Sequence, residues 1–467
     1  MNKKNVLLIN PPLHFDNDLP HSLDVSVPPL GLLYLASYIN HYSNSLNASV
    51  IDIGAEKISL SETLKRIKKQ KPFVIGLTSM TPQLQGTVEL AKCLKKSFPK
   101  VKIFLGGPHI SADPGFINRF RVFDYAITGE AEKTFLDSLK KLVSGKKIPR
   151  IQSSEVIDNL DSIPFPDKEL IDRNKYFKRE SMMFSRGCPY NCYYCSRPSI
   201  SKKVRYRSAE NLIGEIKSVY KDCHGKIDFQ DDTFTLDRKR VLDFCRKVIE
   251  QNLKLEWKCN SRIDLVDEEL LATMKKAGCS LIHFGIEAGN EKIRKNIVKK
   301  GSFTNKQTVR VFAMCREKGI KVAGYFMIGH PTETKENLKQ TEKLILGLRM
   351  NLLGLSIPTP FPGSALYDIA RKRGIISSRI IDDFAQKKLG KGYVGNYPIL
   401  VSENLLQKDV MKFMRDTNRK FYISAKILFQ KFVDDLFHPQ KLYLDLKDFI
   451  FLVSKGVSSR KPYINKE

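Results

Sequence analysis

The sequence predicts an α/β protein with two successive parallel-sheet units and a helical C-terminal segment. Three observations predict it. Short apolar runs alternate with amphipathic stretches over residues 1–145 and again over 181–375, the pattern of strands in a parallel sheet covered by helices. Residues 146–180, with Ile163-Pro164-Phe165-Pro166-Asp167 and many charges, separate the two series and read as a linker. Residues 376–467 abandon the alternation and turn basic and aromatic.

In the first series the strands are Val6–Asn10, Ser49–Ile53, Phe73–Thr78, Lys102–Leu105 and Tyr125–Thr128. The helices between and after them are Leu30–Asn40, Ser61–Gln70, Leu84–Ser97 and Glu132–Val143. Five such strands make a small doubly wound, Rossmann-like domain, whose ligands bind at the carboxyl ends of the strands. Those ends carry Asn10-Pro11-Pro12, Thr78-Ser79-Met80-Thr81, Gly106-Gly107-Pro108-His109 and Thr128-Gly129-Glu130. Glycines there let backbone approach a large ligand, and Ser79 and Thr81 offer hydroxyls. The plainer alternative is a set of tight strand-to-helix turns.

The second series has strands at Ser181–Ser185, Lys226–Gln230, Leu255–Asn260, Ser280–Ile286, Lys321–Ile328 and Gly354–Ile357. Its helices are Ala209–Tyr220, Arg238–Gln251, Glu268–Ala277, Thr304–Lys318 and Lys335–Gly347. Short apolar runs of this kind suit parallel strands buried on both faces.

Bulk properties exclude several classes. The chain has 467 residues, 42% hydrophobic and 28% charged, an ordinary globular composition. Nine cysteines are an odd number, and the six outside one loop (Cys93, Cys223, Cys245, Cys259, Cys279, Cys315) are scattered singly. That is no disulfide framework and suits a reducing compartment. The apolar run after Lys3-Lys4 is too short for a signal peptide, and no apolar stretch reaches membrane-spanning length, so a cytoplasmic location is expected. The net charge of +29 admits nucleic acid, an anionic membrane surface or an acidic substrate. It equally admits lysines coating solvated helices, since they form no arginine-rich block.

Chemistry concentrates in Ser185-Arg186-Gly187-Cys188-Pro189-Tyr190-Asn191-Cys192-Tyr193-Tyr194-Cys195, where three cysteines fall at C-x3-C-x2-C. A disulfide would strand the third thiol, whereas three thiolates suit a soft metal centre. A structural zinc knuckle is the plain alternative, but it wants a fourth ligand and His224 is far along the chain. This loop, with an aromatic before its last cysteine, resembles the radical S-adenosylmethionine (SAM) enzymes. The resemblance implies a [4Fe-4S] cluster on Cys188, Cys192 and Cys195, an open iron that chelates SAM, and Tyr194 beside the adenine. It also closes the second series into a partial (β/α)6 TIM-like barrel.

Four later motifs extend the resemblance. Phe229-Gln230-Asp231-Asp232 stands where the family commonly has Gly-Gly-Glu, so Asp232 or Asp231 would accept from SAM's ammonium, or face the substrate. Cys259-Asn260-Ser261-Arg262 offers Arg262 to a carboxylate, with a structural salt bridge as the alternative. Gly285-Ile286-Glu287-Ala288-Gly289 is similar to the family's Gly-Ile-Glu-Ser-Gly, which makes Glu287 the ribose candidate, with Lys299 or Lys300 downstream for the SAM carboxylate. Gly329-His330-Pro331-Thr332-Glu333-Thr334 is close to Gly-Leu-Pro-Gly-Glu-Thr, with His330 and Thr332 as departures; there the backbone at Ile328 would flank the adenine and Glu333 would cap the next helix.

Asn-Pro-Pro, Gly-Gly-Pro-His and Gly-Glu ahead of such a loop resemble the cobalamin (B12)-binding radical SAM enzymes. That resemblance implies a corrinoid held by Ser79, Thr81, Gly106, Gly107, Gly129 and Glu130. D-x-H-x-x-G is absent, so cobalamin is expected without a histidine ligand, and His109 reads as a loop residue. The implied activity is reductive cleavage of SAM to a 5′-deoxyadenosyl radical and methylation of an unactivated carbon in a small-molecule or lipid substrate. Flavodoxin or ferredoxin would be the electron donor.

A ring-forming enzyme of tetrapyrrole type is the alternative in the same superfamily. An RNA-modifying enzyme would normally bring three N-terminal cysteines, and only Cys93 precedes the loop, so no nucleic-acid partner is expected. In the C-terminal segment Phe413, Phe421, Tyr422, Leu428, Phe429, Phe432, Leu436, Leu442, Leu446 and Phe449 recur at helical intervals. They suggest a cap over the barrel mouth or, alternatively, a peripheral contact with lipid.

Overall fold

The structure, a computed structural model, describes residues 3–15, 27–176, 180–298, 302–389 and 399–423. Its first sheet comprises β1 (Lys4–Asn10), β2 (Leu46–Asp52), β3 (Val74–Thr78), β4 (Lys102–Gly106), β5 (Tyr125–Thr128) and β6 (Ile151–Ser153) in the order 2-1-3-4-5-6. All its pairings are parallel. The chain reverses direction across the sheet between β1 and β3, the place where such sheets open a ligand crevice.

Successive strand residues point to opposite faces, and both faces of this sheet are covered. Val6 and Leu8 pack under α1 (Leu30–Tyr42) and with Phe135 and Leu139 of the later Glu132–Val143 helix. Leu7 and Ile9 pack with α2 (Leu60–Gln70) and α3 (Leu84–Ser97) through Ile67, Leu84 and Leu94. The Glu132–Val143 helix is α4. The sixth strand comes from the stretch read as linker, so residues 146–180 are in part sheet: β6 pairs with β5 from Ala126↔Ile151 to Thr128↔Ser153.

The second sheet contains β7 (Glu180–Met182), β8 (Lys226–Phe229), β9 (Glu256–Ser261), β10 (Cys279–Glu287), β11 (Lys321–Met327) and β12 (Leu352–Ser356), paired in sequence order and all parallel. Among the described residues β7 and β12 do not pair, so the barrel is partial. Its helices are α5 (Ala209–Cys223), α6 (Arg238–Glu250), α7 (Glu268–Lys276), α8 (Glu291–Val298), α9 (Asn305–Glu317) and α10 (Lys335–Gly347). The sequence reading contains no counterpart of α8. Trp257, fully buried among Phe229, Phe234 and Phe244, donates its Nε1–H to Ala277 O at 2.8 Å, which satisfies the polar edge of a large core ring.

Beyond the barrel, α11 (Ala365–Lys372) and α12 (Ile380–Ala385) return to the first unit. Leu366, Ile381 and Phe384 share a core with Leu84 and Val88, and Gln85 Nε2 donates to Phe384 O at 3.0 Å. Helix α13 (Gln407–Tyr422) lies along α10 and edge strand β12, where the Tyr422 hydroxyl bonds Leu353 N (3.2 Å) and Leu353 O (3.1 Å). The described C-terminal residues thus pack on α3, on α10 and on the edge strand β12, and they reach the turn after β11, where Glu403 N donates to Pro331 O at 2.8 Å; most of the residues expected to cap the mouth lie further on. Leu428, Phe429, Phe432, Leu436, Leu442, Leu446 and Phe449 lie outside the described residues. Among the described residues no helix is long and apolar enough to cross a membrane.

Candidate functional site

The three-cysteine loop leaves the sheet through a fixed gate. Asp231, fully buried at the end of β8, accepts from the Phe184 and Ser185 N–H groups and the Ser185 hydroxyl. Burial nevertheless pushes its carboxyl up to about 6. Ser185-Arg186 then pairs antiparallel with Arg205-Tyr206, so residues between them form a closed excursion. Gly187 makes the turn at φ +94°, where an added Cβ would lie 2.2 Å from Lys203 O; only glycine fits.

Within the excursion Cys188, Cys192 and Cys195 are partly buried and unpaired. The Arg197 N–H donates to Cys195 Sγ at 3.4 Å. Burial, then the Glu287 carboxylate and the Cys195 thiol, push Cys192 up to about 12. Among the described residues no group of three or more His, Cys, Asp or Glu is drawn tightly enough to hold a metal ion by itself. Three mutually interacting thiols on one short loop remain a donor set of the soft kind that an iron–sulfur cluster takes.

The strand ends beside this loop form a shelf. Glu287 ends β10 at φ +69°, where the register with β11 shifts between Gly285 and Glu287. A non-glycine residue in that conformation is held there by its surroundings. The holding residue is Arg294 of α8. It is 0% exposed and donates to the carbonyls of Ile286 (3.1 Å), Ala288 (2.6 and 3.1 Å) and Phe303 (2.9 Å), and to Asn305 Oδ1 (2.5 Å). The Glu287 carboxylate thus meets the Tyr194 hydroxyl, which donates to Oε1 at 2.9 Å. Burial pushes Glu287 up to about 7, against the opposing pull of Tyr194, Arg262 and Arg294. Arg294 escaped the sequence reading because Glu-Lys-Ile-Arg-Lys looks like a solvated helix face.

At the end of β11, Ile328 is fully buried and its N–H donates to Ser356 O at 2.8 Å. Glu333 Oε2 accepts from Gly329 N (2.7 Å) and His330 N (3.2 Å), closing the turn on itself. The expected helix-capping role belongs instead to Thr334, whose hydroxyl accepts from Asn337 N at the start of α10. Arg262 pairs with Asp264 through two bonds of 3.0 and 2.9 Å and lies 4.0 Å over the Tyr190 ring, so the salt-bridge alternative is realised. Lys299 and Lys300 lie outside the described residues.

Asp231 and Asp232, adjacent in sequence, separate in space. Asp231 serves the gate, whereas Asp232 accepts from Arg197 Nε at 2.8 Å and, with it, lines a cavity of about 250 Å³. That cavity lies over the α1/α4 face of the first sheet, between Leu8, Gly76, Phe104 and Ile127 on strands and Leu32 and Phe135 on helices. It opens toward the cysteine loop at Gly187, Arg197, Ile200 and Asp232.

Of the six residues expected around a corrinoid, Gly106, Gly107, Gly129 and Glu130 line this cavity. Ser79 and Thr81 do not. Ser79 is fully buried and bonds Thr87 Oγ1 (3.0 Å) and Met80 O (3.0 Å), and Thr81 Oγ1 bonds His109 Nδ1 at 3.1 Å. Thr78 and Ser111 line it in their place; the alternation along β3, which sends Thr78 to the Gly76 side, is the signal that could have chosen Thr78.

Gly107 sits at φ +95°, with an added Cβ only 2.6 Å from Thr78 Oγ1. His109 is on the short helix Pro108–Ala112, buried edge-on to Phe116 and held to about 4 by burial, away from the cavity lining. Glu130 also ties the two units together: Arg186 NH1 donates to it at 2.9 Å and Arg205 NH2 bonds its other oxygen, while Glu132 takes a further bond from Arg186 at 2.7 Å. Burial alone would raise Glu130, but Arg205 and Arg186 hold it below the usual carboxylate range.

With this geometry in place, residues 182–345 match the family model of the radical SAM superfamily and residues 20–138 that of the B12 binding domain. An uncharacterized methyltransferase of Pyrococcus horikoshii is 29% identical over 450 residues, covering 92% of this chain and 94% of its own. The anaerobic magnesium-protoporphyrin IX monomethyl ester cyclase of Rubrivivax gelatinosus is 24% identical over 451 residues, 91% of this chain and 79% of the cyclase. Among solved structures, the radical S-adenosylmethionine methyltransferase TsrM from Kitasatospora setae, with cobalamin and a [4Fe-4S] cluster bound, has a TM-score of 0.65 at 17% identity, covering 79% of this chain and 75% of that one. At that identity the likeness is one of fold.

Proposed function

We propose, from the premise that this chain belongs to the B12-binding radical SAM enzymes, that it methylates an unactivated carbon of a small organic substrate. The observation that carries the reading is the cavity over the first sheet. It opens at Arg197 and Asp232, beside the three thiols, so two cofactors held there would face one substrate.

When bound, the cluster supplies an electron to SAM and the corrinoid supplies a transferable methyl group. The chain's own residues hold and orient. Cys188, Cys192 and Cys195 would bind three irons and leave the fourth to SAM. Glu287, turned inward by Arg294, would accept from the ribose hydroxyls, with Tyr194 and the Ile328 backbone beside the adenine. Asp232, oriented by Arg197, would accept from the ammonium. On the other side Gly106, Gly107 and Gly129 would let backbone approach the corrinoid, with Thr78 offering a hydroxyl; Ser111, which donates to Gly107 O and accepts from Gly129 N, would brace those turns, and Glu130 would hold its domain to the loop. Ser79 and Thr81 would act indirectly, by fixing the turn after β3. A flavodoxin or ferredoxin would deliver the electron.

A ring-forming reaction is the second reading, favoured by the match to the cyclase over 91% of this chain. Product analysis separates the two. With SAM labelled in its methyl group, the first reading expects a product carrying the label, and turnover that yields only an unlabelled cyclised product overturns it.

A further inference from the structure

The cysteine loop and the shelf meet through a hydrogen bond that neither cofactor assignment uses. Tyr193, between Cys192 and Tyr194, is 7% exposed, and its hydroxyl lies 2.6 Å from Nδ1 of His330, itself 2% exposed. The rest of Tyr193 is equally fixed: its N–H donates to Ile297 O at 3.1 Å, and its carbonyl accepts from Leu366 N at 2.8 Å. Around His330, the Glu333 carboxylate clamps the turn through Gly329 and His330 N–H.

His330 Nε2 makes no hydrogen bond, so the tyrosine hydroxyl at Nδ1 is the polar partner of the ring, as donor or acceptor according to the tautomer. His330 stands three residues past the end of β11, in the turn that Glu333 closes, so the bond ties the cysteine loop to the end of that strand.

We propose that Tyr193 and His330 are a positioning pair that sets the register of the cysteine loop against the end of β11, and so the placing of SAM relative to the cluster. This rests on the radical SAM reading above. The pair touches neither substrate nor reacting atoms in its assigned role. It also gives a meaning to His330, which departs from the apolar residue of the related motif: a buried hydroxyl and a buried imidazole satisfy each other, and loss of either leaves the other unpaired.

The test is a double-mutant cycle with Tyr193→Phe, His330→Leu and the combination. On the apoprotein, mass spectrometry after timed iodoacetamide treatment reads the alkylation of Cys188, Cys192 and Cys195 against buried Cys245. On the anaerobically reconstituted protein, SAM concentration is varied while 5′-deoxyadenosine is measured, with iron content and the SAM-induced change in the EPR spectrum of the reduced cluster.

Each single variant is expected to alkylate the loop cysteines about tenfold faster at unchanged Cys245 reactivity, and to raise KM for SAM about tenfold at full iron content. The double variant is expected to be about as impaired as either single, because the one bond they share is already lost in each. Singles that only lower thermal stability, with wild-type loop alkylation, KM and EPR response, overturn the proposal. A double variant as impaired as the sum of the singles overturns it too. If the wild type assembles no cluster or cleaves no SAM, the radical SAM reading falls instead, and the apoprotein alkylation still decides whether the pair holds the loop.

Discussion

The cavity over the first sheet and the shelf at the barrel mouth solve opposite recognition problems. The cavity is made of shape. Over the sheet its walls are Leu8, Phe104, Ile127 and Phe135, with charged groups such as Arg197 and Asp232 on the side of the cysteine loop, and its close approaches depend on Gly76, Gly106, Gly107 and Gly129. The shelf is made of buried polar groups, with Glu287 turned inward by Arg294, Tyr194 bonded to it and His330 bonded to Tyr193. The difference teaches how each fails. A shape site is broken by adding volume, and a polar site by removing one hydrogen-bonding atom.

The largest expected effect separates the two sites outright. Cys192→Ala should abolish SAM cleavage while leaving corrinoid affinity at the wild-type value, read by absorbance titration with hydroxocobalamin. Equal loss of both would erase the distinction between the regions.

Adding volume comes next. An added Cβ at Gly106 would meet only Ile127 O, at 4.0 Å, so Gly106→Leu should fold and place its side chain in the cavity. Overpacking typically costs about 1–3 kcal/mol, so corrinoid affinity is expected to fall roughly fivefold to a hundredfold. SAM-dependent formation of 5′-deoxyadenosine should persist.

On the polar side, Glu287→Gln keeps volume and loses charge. KM for SAM is expected to rise about tenfold, the scale of one hydrogen bond to an ionised group. Corrinoid affinity stays unchanged, and a fall in it would mean that the two regions are mechanically coupled.

The smallest effect belongs to the tie between them. Glu130→Gln should lower the urea midpoint by an amount worth about 1 kcal/mol at neutral pH. Arg205 and Arg186 hold Glu130 below the usual range, so its contribution is complete above the ordinary glutamate value of about 4.3. It is lost as pH falls through the lower folded value. The gap between wild type and variant should therefore narrow in acid, and a gap that widened there would contradict the ion-pair account.

Much of this was readable from the chain. Apolar runs such as Val6-Leu7-Leu8-Ile9 announce strands buried on both faces, and the cysteine spacing and Gly-Ile-Glu element announce the shelf. What escaped has physical reasons. The strand Ile151–Ser153 is three residues long at a sheet edge, too short and polar to show a period. Arg294 sits in a charged helix, and only its complete burial marks it. The Tyr193–His330 bond joins residues 137 apart, a pairing that no local pattern reports. Asp231 and Asp232 could not be told apart because a strand end sends neighbours opposite ways.

The central claim is that one chain holds a SAM site and a corrinoid site that exchange a methyl group. Its most direct test needs no substrate: reduced, reconstituted protein is incubated with SAM deuterated in its methyl group, and the extracted corrinoid is weighed by mass spectrometry. The account predicts a trideuteromethyl group on the corrinoid, matched by an equal amount of S-adenosylhomocysteine. A bound corrinoid that never acquires the label while SAM is still cleaved to 5′-deoxyadenosine would contradict it.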